Sequence, residues 1–334
     1  MKFREFCKED IIEASKLLAD RHKKEREMFP TLKKEFEDSK NTEEILHEIM
    51  EDEDSHIIGI CAYEDDKMLG FILSNIVIDN NMCGRCAYVD YEGLAIADTA
   101  SPELYRKMYA EISKTWLEYG ALIHYVTIPA GNKEVVDSWL RLSFAIEHVY
   151  GISGLSKTEV SVPDNLIIRQ AEEKDAEELS KLSNTIWSQH AAAPCYCAAL
   201  PEKMAGLRHG FAELPNDEDA ITLLAYNDNK LVGFQSANIE DNEGNMMAPE
   251  KSFDLEIAGT IKESRGTGIG NLLTKSIFNR AMEEGYENVI ADWKIANLSA
   301  STFWPKHGFK TIAYRMYRSI DERVYWADGI RVLA

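Results

Sequence analysis

The sequence predicts an α/β (α+β) fold built as two tandem copies of one domain. Strand-length apolar runs alternate with helix-length patterns, which indicates layered sheet and helix. The same residues recur at a nearly constant offset. The chain, at 334 residues, is about two domains long on a prior of roughly 150 residues per core.

Each copy reads alike from its start. A short strand opens it, carrying Arg4 or Arg169. Asp10 or Asp175 then stands where a helix N-cap belongs. Ser15-Lys16-Leu17 maps to Ser180-Lys181-Leu182, so Arg, Asp and this tripeptide all repeat 165 residues apart. A hairpin follows. Ala62-Tyr63-Glu64-Asp65-Asp66-Lys67-Met68-Leu69-Gly70-Phe71 parallels Ala225-Tyr226-Asn227-Asp228-Asn229-Lys230-Leu231-Val232-Gly233-Phe234 at an offset of 163. Polar turn residues between apolar runs are the hairpin signal, and Asn75-Ile76 matches Asn238-Ile239 beyond it. A strand and a helix come next, the helix over Leu104 to Tyr119 or Gly268 to Glu284. A last strand and helix carry Asn132, Trp139 and Phe144, matched by Asn297, Trp304 and Phe309 at 165 again. A period this long means duplicated domains rather than solenoid units. The polar, aperiodic stretch 156–165, with Pro163, reads as a linker between a first domain at 1–155 and a second at 166–334.

Composition narrows the function. The formal charge of -20 argues against sequence-independent binding to nucleic acid, which relies on Lys and Arg against phosphate. It argues equally against anionic lipid and permits a cationic small-molecule partner. No apolar run approaches the roughly 18 residues that cross a bilayer, and Met1-Lys2-Phe3-Arg4-Glu5 has no apolar stretch behind it. A cytoplasmic protein with no membrane partner is expected. Six scattered cysteines do not suggest a secreted disulfide scaffold.

The chemistry-bearing segment is Leu255 to Gly270. A strand runs into a glycine-rich turn, Arg265-Gly266-Thr267-Gly268-Ile269-Gly270, which opens a helix. Backbone N–H groups at such a turn and helix start form an anion site. Gly266-x-Gly268-x-Gly270 comes late in its domain, unlike a dinucleotide fingerprint, and no Gly-Lys-Ser/Thr closes it as a Walker A loop would.

This loop instead resembles the (Arg/Gln)-x-x-Gly-x-(Gly/Ala) motif of the GNAT superfamily of acyl-CoA-dependent N-acyltransferases. The run Asn297-Leu298-Ser299-Ala300-Ser301-Thr302-Phe303-Trp304-Pro305-Lys306-His307-Gly308-Phe309 is similar to the family's Asn-x-x-Ala helix ending in Gly-Phe. The resemblance spans the second copy and, in outline, the first. It implies in each copy a mixed, mostly antiparallel twisted sheet flanked by helices. It also implies acetyl-CoA as cosubstrate, with no metal. Amides of Gly266, Thr267, Gly268, Ile269 and Gly270 would hold the pyrophosphate, with Arg265 beside them. The strand at Ile257, Gly259 and Ile261 would pair with the pantetheine arm. Asn297 would contact the pantetheine or the amine, and Trp304 stands at the family's tyrosine position.

The first copy departs from this pattern. Ala100, Glu103 and Tyr105 stand where Arg265, Gly268 and Gly270 stand, and Pro102 has no N–H to donate. Glu103 would bring a carboxylate to two phosphates. Ser143 replaces the glycine of the Gly-Phe pair. The first copy is therefore expected to bind acyl-CoA poorly.

Acyl transfer to an amine needs a base for the amine and stabilisation of the oxyanion. In the family a strand carboxylate often serves as base and a tyrosine often protonates the thiolate. Asp254 and Glu256 lie two apart on the strand, so alternation puts them on one side. Glu256 is the candidate base, a surface carboxylate being its plain alternative. Trp304 is no acid at neutral pH, so Tyr314, or its neighbour Tyr317, is the candidate substitute, unless both only pack on the sheet. Trp187, His190 and the loop Ala191 to Leu200 would form the acceptor site. Cys195, Cys197 and His190 match no standard zinc spacing, and Cys83-Gly84-Arg85-Cys86 has no helix behind it to lower a thiol pKa. Two functions remain: an N-acetyltransferase acting on a small-molecule amine, or a non-catalytic tandem module that senses acyl-CoA or scaffolds a partner.

Overall fold

The computed structural model describes residues 1–79, 84–239 and 242–327. Contacts divide the chain into two compact units: Met1–Val149 with the segment from Ile312 on, and Tyr150–Thr311. The sequence reading kept everything after 166 in one domain; by contacts, the last strand goes with the first unit.

The first unit runs β1 (Lys2–Glu5), α1 (Ile11–Met28), α2 (Ser39–Glu51), β2 (Ile57–Glu64), β3 (Lys67–Asp79), β4 (Gly84–Val89), β5 (Leu94–Ile96), α3 (Glu103–Glu118), β6 (Ile123–Pro129), α4 (Lys133–Leu140) and β7 (Ala145–Gly154). The chain then repeats the order with β8 (Leu166–Gln170), α5 (Ala176–Ala191), α6 (Met204–Glu213), β9 (Ala220–Asn227), β10 (Lys230–Asn238), β11 (Ser252–Thr260), α7 (Ile269–Glu283), β12 (Asn288–Lys294) and α8 (Leu298–Lys306) in the second unit, and β13 (Lys310–Ser319), which from Ile312 on goes with the first. In the first unit the order is β1-β2-β3-β4-β6-β13, with β5 on β3. In the second it is β12-β11-β10-β9-β8. Both sheets are mixed: β4–β6 and β11–β12 are parallel, and the other registered pairs are antiparallel. The strand from 313 to 319 lies along β6, from Ala313↔Pro129 to Ser319↔Ile123.

Sequence chemistry accounts for the shared frame. Asp65 and Asp66 (φ 47° and 62°) and Asp228 and Asn229 (φ 48° and 64°) take the left-handed conformation. Two such residues make the two-residue hairpin turn whose twist suits antiparallel strands. Asp10 and Asp175 do not cap α1 and α5 through their side chains. Asp10 instead takes both forks of Arg4 at 2.7 and 2.5 Å, the Cys7 amide and the Tyr63 hydroxyl. Asp175 takes Arg169 twice at 2.7 Å, the Glu172 amide and the Tyr226 hydroxyl. Each guanidinium lies over its tyrosine, at 4.6 and 4.8 Å. The Arg169 pairing leads in holding the Asp175 carboxyl well below its ordinary range. At Asp10 burial pushes the other way, and the donors overcome it.

Core follows from periodicity. α3 buries Leu104, Met108, Ile112 and Trp116 against Ala87, Val89 and Val126 of the first sheet. In the second unit Leu179 and Leu182 of α5 and Phe211 of α6 cover Leu224 and Phe234. No helix among the described residues is long and apolar enough to cross a membrane.

Candidate active site

The site grows from a parallel strand pair that comes apart. β11 meets β12 at Ser252↔Asn288, Phe253↔Val289 and Asp254↔Ile290. Beyond that rung both strands continue, to Thr260 and Lys294, with no further pair registered between them. One edge of β11 is thus open from Leu255 onward. On the other edge its register with β10 slips between Asn238↔Asp254 and Ser236↔Ile257, leaving an extra residue on β11 at Leu255–Glu256. Such a bulge re-aims side chains and leaves main-chain groups unpaired.

The ladder decides which residues face the opening. Ile261 N–H donates to Val232 O at 2.9 Å. Both main-chain groups of a residue in an antiparallel ladder point the same way, alternating along the strand. Ile257, Gly259 and Ile261 therefore turn theirs toward β10, and Ala258 and Thr260 face the open side. This corrects the expectation that Ile257, Gly259 and Ile261 pair with an incoming chain. Ile257 and Ile261 pack their side chains on the Leu179–Phe211–Phe234 cluster. Gly259 is required by packing, because a Cβ there would lie 2.7 Å from Phe234 Cε1.

The strand end leads into the loop. Gly266 and Gly268 have φ of 79° and 94°, which favours glycine, and a Cβ at either would meet open space. Gly268 caps α7 from the left-handed region. Thr267 Oγ1 donates to Ser264 O at 2.7 Å and steadies the turn. Among the described residues nothing accepts from the N–H groups of Gly266, Thr267, Gly268, Ile269 or Gly270. Five unclaimed donors at a helix start fit an anionic group such as a pyrophosphate. Arg265 stands beside them, its Nε on Thr260 O at 3.1 Å and its Nη1 on Gln189 Oε1 at 2.5 Å.

The carboxylates separate by environment. Glu256, in the bulge, is exposed, and the bulge breaks the alternation that placed it beside Asp254 on one side. Asp254 is the last paired residue before the opening and is half-buried. Burial pushes its carboxyl up to about 6; the Asn242 amide, 3.4 Å away, opposes this, and the Glu256 and Asp292 carboxylates add to it. Strand position alone could not rank the two carboxylates, because the bulge and the burial are tertiary.

Other expected residues lie elsewhere. Asn297 caps α8, its Oδ1 accepting from the Ala300 amide at 3.3 Å. Trp304 is buried against Phe303 and Phe309, at ring distances of 4.9 and 5.3 Å. Tyr314 pairs with Ile128 and packs on the first unit's core. Tyr317, on the same strand, lies 6.1 Å from the Tyr125 ring. Their strand left the second unit for the first, which no local pattern signals.

At the end of α5, Trp187 and His190 make an edge contact at 6.0 Å, and the Cys197 amide donates to His190 O at 2.8 Å. Burial raises the Cys195 thiol, and Lys294, at the end of β12, opposes the shift. No group of three His, Cys, Asp or Glu side chains suited to a metal occurs among the described residues. Cys83 lies outside them, as do Ile330 and Val332 of the tail, and Cys86 is buried.

Comparison with known proteins agrees with this geometry. The model of the acetyltransferase (GNAT) family matches residues 170–309. No curated protein matches the chain. Among solved structures, a GCN5-related N-acetyltransferase from Sphaerobacter thermophilus superposes with a TM-score of 0.58 at 12% identity, covering 95% of each chain. A tandem GNAT protein from the clavulanic acid biosynthesis pathway gives 0.55 at 11%, covering 95% of this chain and 98% of that one. A glucosamine N-acetyltransferase region of a fungal multi-domain β-N-acetylglucosaminidase gives 0.56 at 14%, over 95% of this chain and 38% of that one. At such identities these likenesses attest the fold. Residues 170–309, within the second unit, are thus similar to the acetyltransferase (GNAT) family.

Proposed function

We propose that the second unit is an N-acetyltransferase that moves an acetyl group from acetyl-CoA to an amine of a small-molecule acceptor. One observation carries the reading: an open strand edge at Ala258 and Thr260 runs into five unclaimed amides at the start of α7, with a half-buried carboxyl of raised pKa where the strands part. Acetyl-CoA supplies the acetyl thioester. The amides of Gly266 to Gly270 and the free donors of Arg265 bind its phosphates. Main-chain groups of Ala258 and Thr260 orient its arm along β11. Asp254, ionised above about pH 6, takes the proton that the amine gives up as its C–N bond forms. A main-chain amide freed by the bulge at Leu255–Glu256 would donate toward the oxyanion. With Trp304, which is no acid at neutral pH, at the family's tyrosine position, the departing thiolate takes its proton from water. The carboxylates Asp254, Glu256 and Asp292 favour a cationic acceptor, with Trp187, His190 and the loop after α5 as its walls.

Thermal unfolding with and without acetyl-CoA tests this on wild type, Gly268→Glu and Gly268→Ala. Ligand at about 100 times its Kd adds about 2.7 kcal/mol, a rise of roughly 4 °C if the whole chain unfolds together and roughly 8 °C if the second unit unfolds alone. The expected outcome is a shift in wild type that Gly268→Glu abolishes. Gly268→Ala carries the backbone strain of the left-handed position without the charge, and keeps most of the shift. No shift in wild type at millimolar ligand would sink the reading. Release of free CoA thiol with a panel of amines then separates transferase from acyl-CoA sensor: turnover supports the first, binding without turnover the second.

A further inference from the structure

We infer that Gln189 is a positioning residue for the cofactor, acting through Arg265 and tying the end of α5 to the glycine loop. The inference rests on the reading of that loop as an acyl-CoA site. Arg265 is exposed, and a free arginine side chain would lose much conformational freedom on meeting a phosphate. Here two bonds have already removed that freedom. Nε is fixed to Thr260 O, at the end of the open strand, and Nη1 to Gln189 Oε1 at 2.5 Å. Nη2 has no partner among the described residues. A planar guanidinium held by two of its nitrogens presents the third in a fixed direction, and phosphate recognition profits from that preorganisation. The anchor is specific to this pair. Gln189 lies in the last turn of α5, two residues after Trp187 and one before His190. The helix end that flanks the acceptor loop thus also holds the cofactor's arginine.

The test is titration calorimetry of coenzyme A, without any acceptor, on wild type, Gln189→Met, Arg265→Met and the double variant. Methionine keeps the length of the glutamine side chain and removes its acceptor. Gln189→Met is expected to weaken coenzyme A by about three- to tenfold, the scale of one ordinary net hydrogen bond, since the arginine is lost only as a pre-aligned partner and not removed. Its Tm without ligand should stay close to the wild-type value, because Arg265 is exposed, Gln189 is only half-buried and methionine keeps its packing. Arg265→Met is expected to weaken binding at least as much. The double variant should bind like Arg265→Met, since a residue that acts only through Arg265 adds nothing once it is gone. Additive losses, or a Gln189→Met that binds as wild type does, would overturn the inference while leaving the loop as the cofactor site. A wild type that binds no coenzyme A overturns both.

Discussion

The two units solve the same folding problem and differ at one strand edge. Both hold an arginine, a buried aspartate and a tyrosine in one cluster, turn their hairpins through two left-handed residues, and reverse after the last helix through a left-handed residue, Ser143 (φ 64°) or Gly308 (φ 91°). The ladders Gly70↔Ile96, Phe71↔Ala95, Ile72↔Leu94 and Gly233↔Thr260, Phe234↔Gly259, Gln235↔Ala258 superpose rung for rung. Leu94 therefore stands where Ala258 does. In the second unit that edge is open. In the first, Arg21 of α1 closes it, donating to Leu94 O at 2.5 Å and Tyr91 O at 2.6 Å. Glu25, buried beside Arg21 at 3.0 Å, balances its charge, and the Tyr91 hydroxyl donates to Glu25. The position matching Arg21 is Ile186.

The helix starts differ in the same sense. The turn into α3 is two residues shorter than the turn into α7 and is capped by Pro102 rather than by a left-handed glycine. The Glu103 amide donates to Ser101 Oγ, Leu104 to Ser101 O and Tyr105 to Pro102 O, so the donors left free in the second unit are used here. Arg106 and Arg141 hold the Glu103 carboxylate. The repeat keeps what builds the sheet and differs at the strand edge and the helix start. On the proposed function, the acyl-CoA site is expected in the second unit alone.

The widest difference in chemistry is at the rung opposite the matched asparagines, where Asn75 faces Tyr88 and Asn238 faces Asp254. Asp254→Asn is expected to lower kcat by about 10²–10⁴-fold, the usual contribution of a positioned base. The wild-type rate should fall as pH drops through about 6, and that limb should vanish in the variant. Stability supplies a second readout. The folded carboxyl is raised from 3.8 to about 6, so between those values the native state keeps a proton that the unfolded chain has lost. This group's contribution to stability therefore declines as pH rises through that window. Asp254→Asn removes the decline and should be the more stable protein at pH 8. A variant with undiminished turnover would return the role to Glu256.

Next in size is the plug. Arg21→Met leaves Glu25 buried without its cation, and breaking such a pair costs about 3–5 kcal/mol, read by denaturant unfolding. Arg21→Met with Glu25→Gln should recover part of that loss. Calorimetry should still count one coenzyme A per chain in the double variant, because the amides at α3 remain used. A second equivalent would show that Arg21 alone keeps the first unit empty.

These contrasts were unequally legible in the sequence. The repeat, the hairpins and the helices over 104–119 and 268–284 rest on local pattern and lie within a residue of α3 and α7. Glu103 and Pro102 announced a loop unsuited to phosphate. Arg21 did not announce itself, since one arginine on an amphipathic helix reads as surface until the fold brings Leu94 O to it. The choice of Asp254 over Glu256 needed the bulge, and the removal of Tyr314 needed the path of the last strand. Each of these is a long-range event with no local periodicity to betray it.

The smallest effect separates a shared residue from a shared role. Asn132 caps α4, its Oδ1 accepting from the Glu134 and Val135 amides at 3.0 and 3.2 Å, and Asn297 caps α8 in the same way. Capping explains why both copies carry asparagine, including the copy with no ligand loop. Replacing either by alanine should cost about 1 kcal/mol of stability, the ordinary value of an N-cap. If capping is the whole role of Asn297, Asn297→Ala leaves the acetyl-CoA Kd unchanged and matches Asn132→Ala in every measurement. If Asn297 also touches the cofactor, as the family resemblance implies, only Asn297→Ala weakens acetyl-CoA. Asn297→Asp discriminates further, because it keeps the cap, which aspartate serves as well, while replacing an amide donor with a carboxylate. A normal Tm with a raised Kd in that variant would assign the side-chain amide to the ligand, and a normal value for both would assign it to the helix alone.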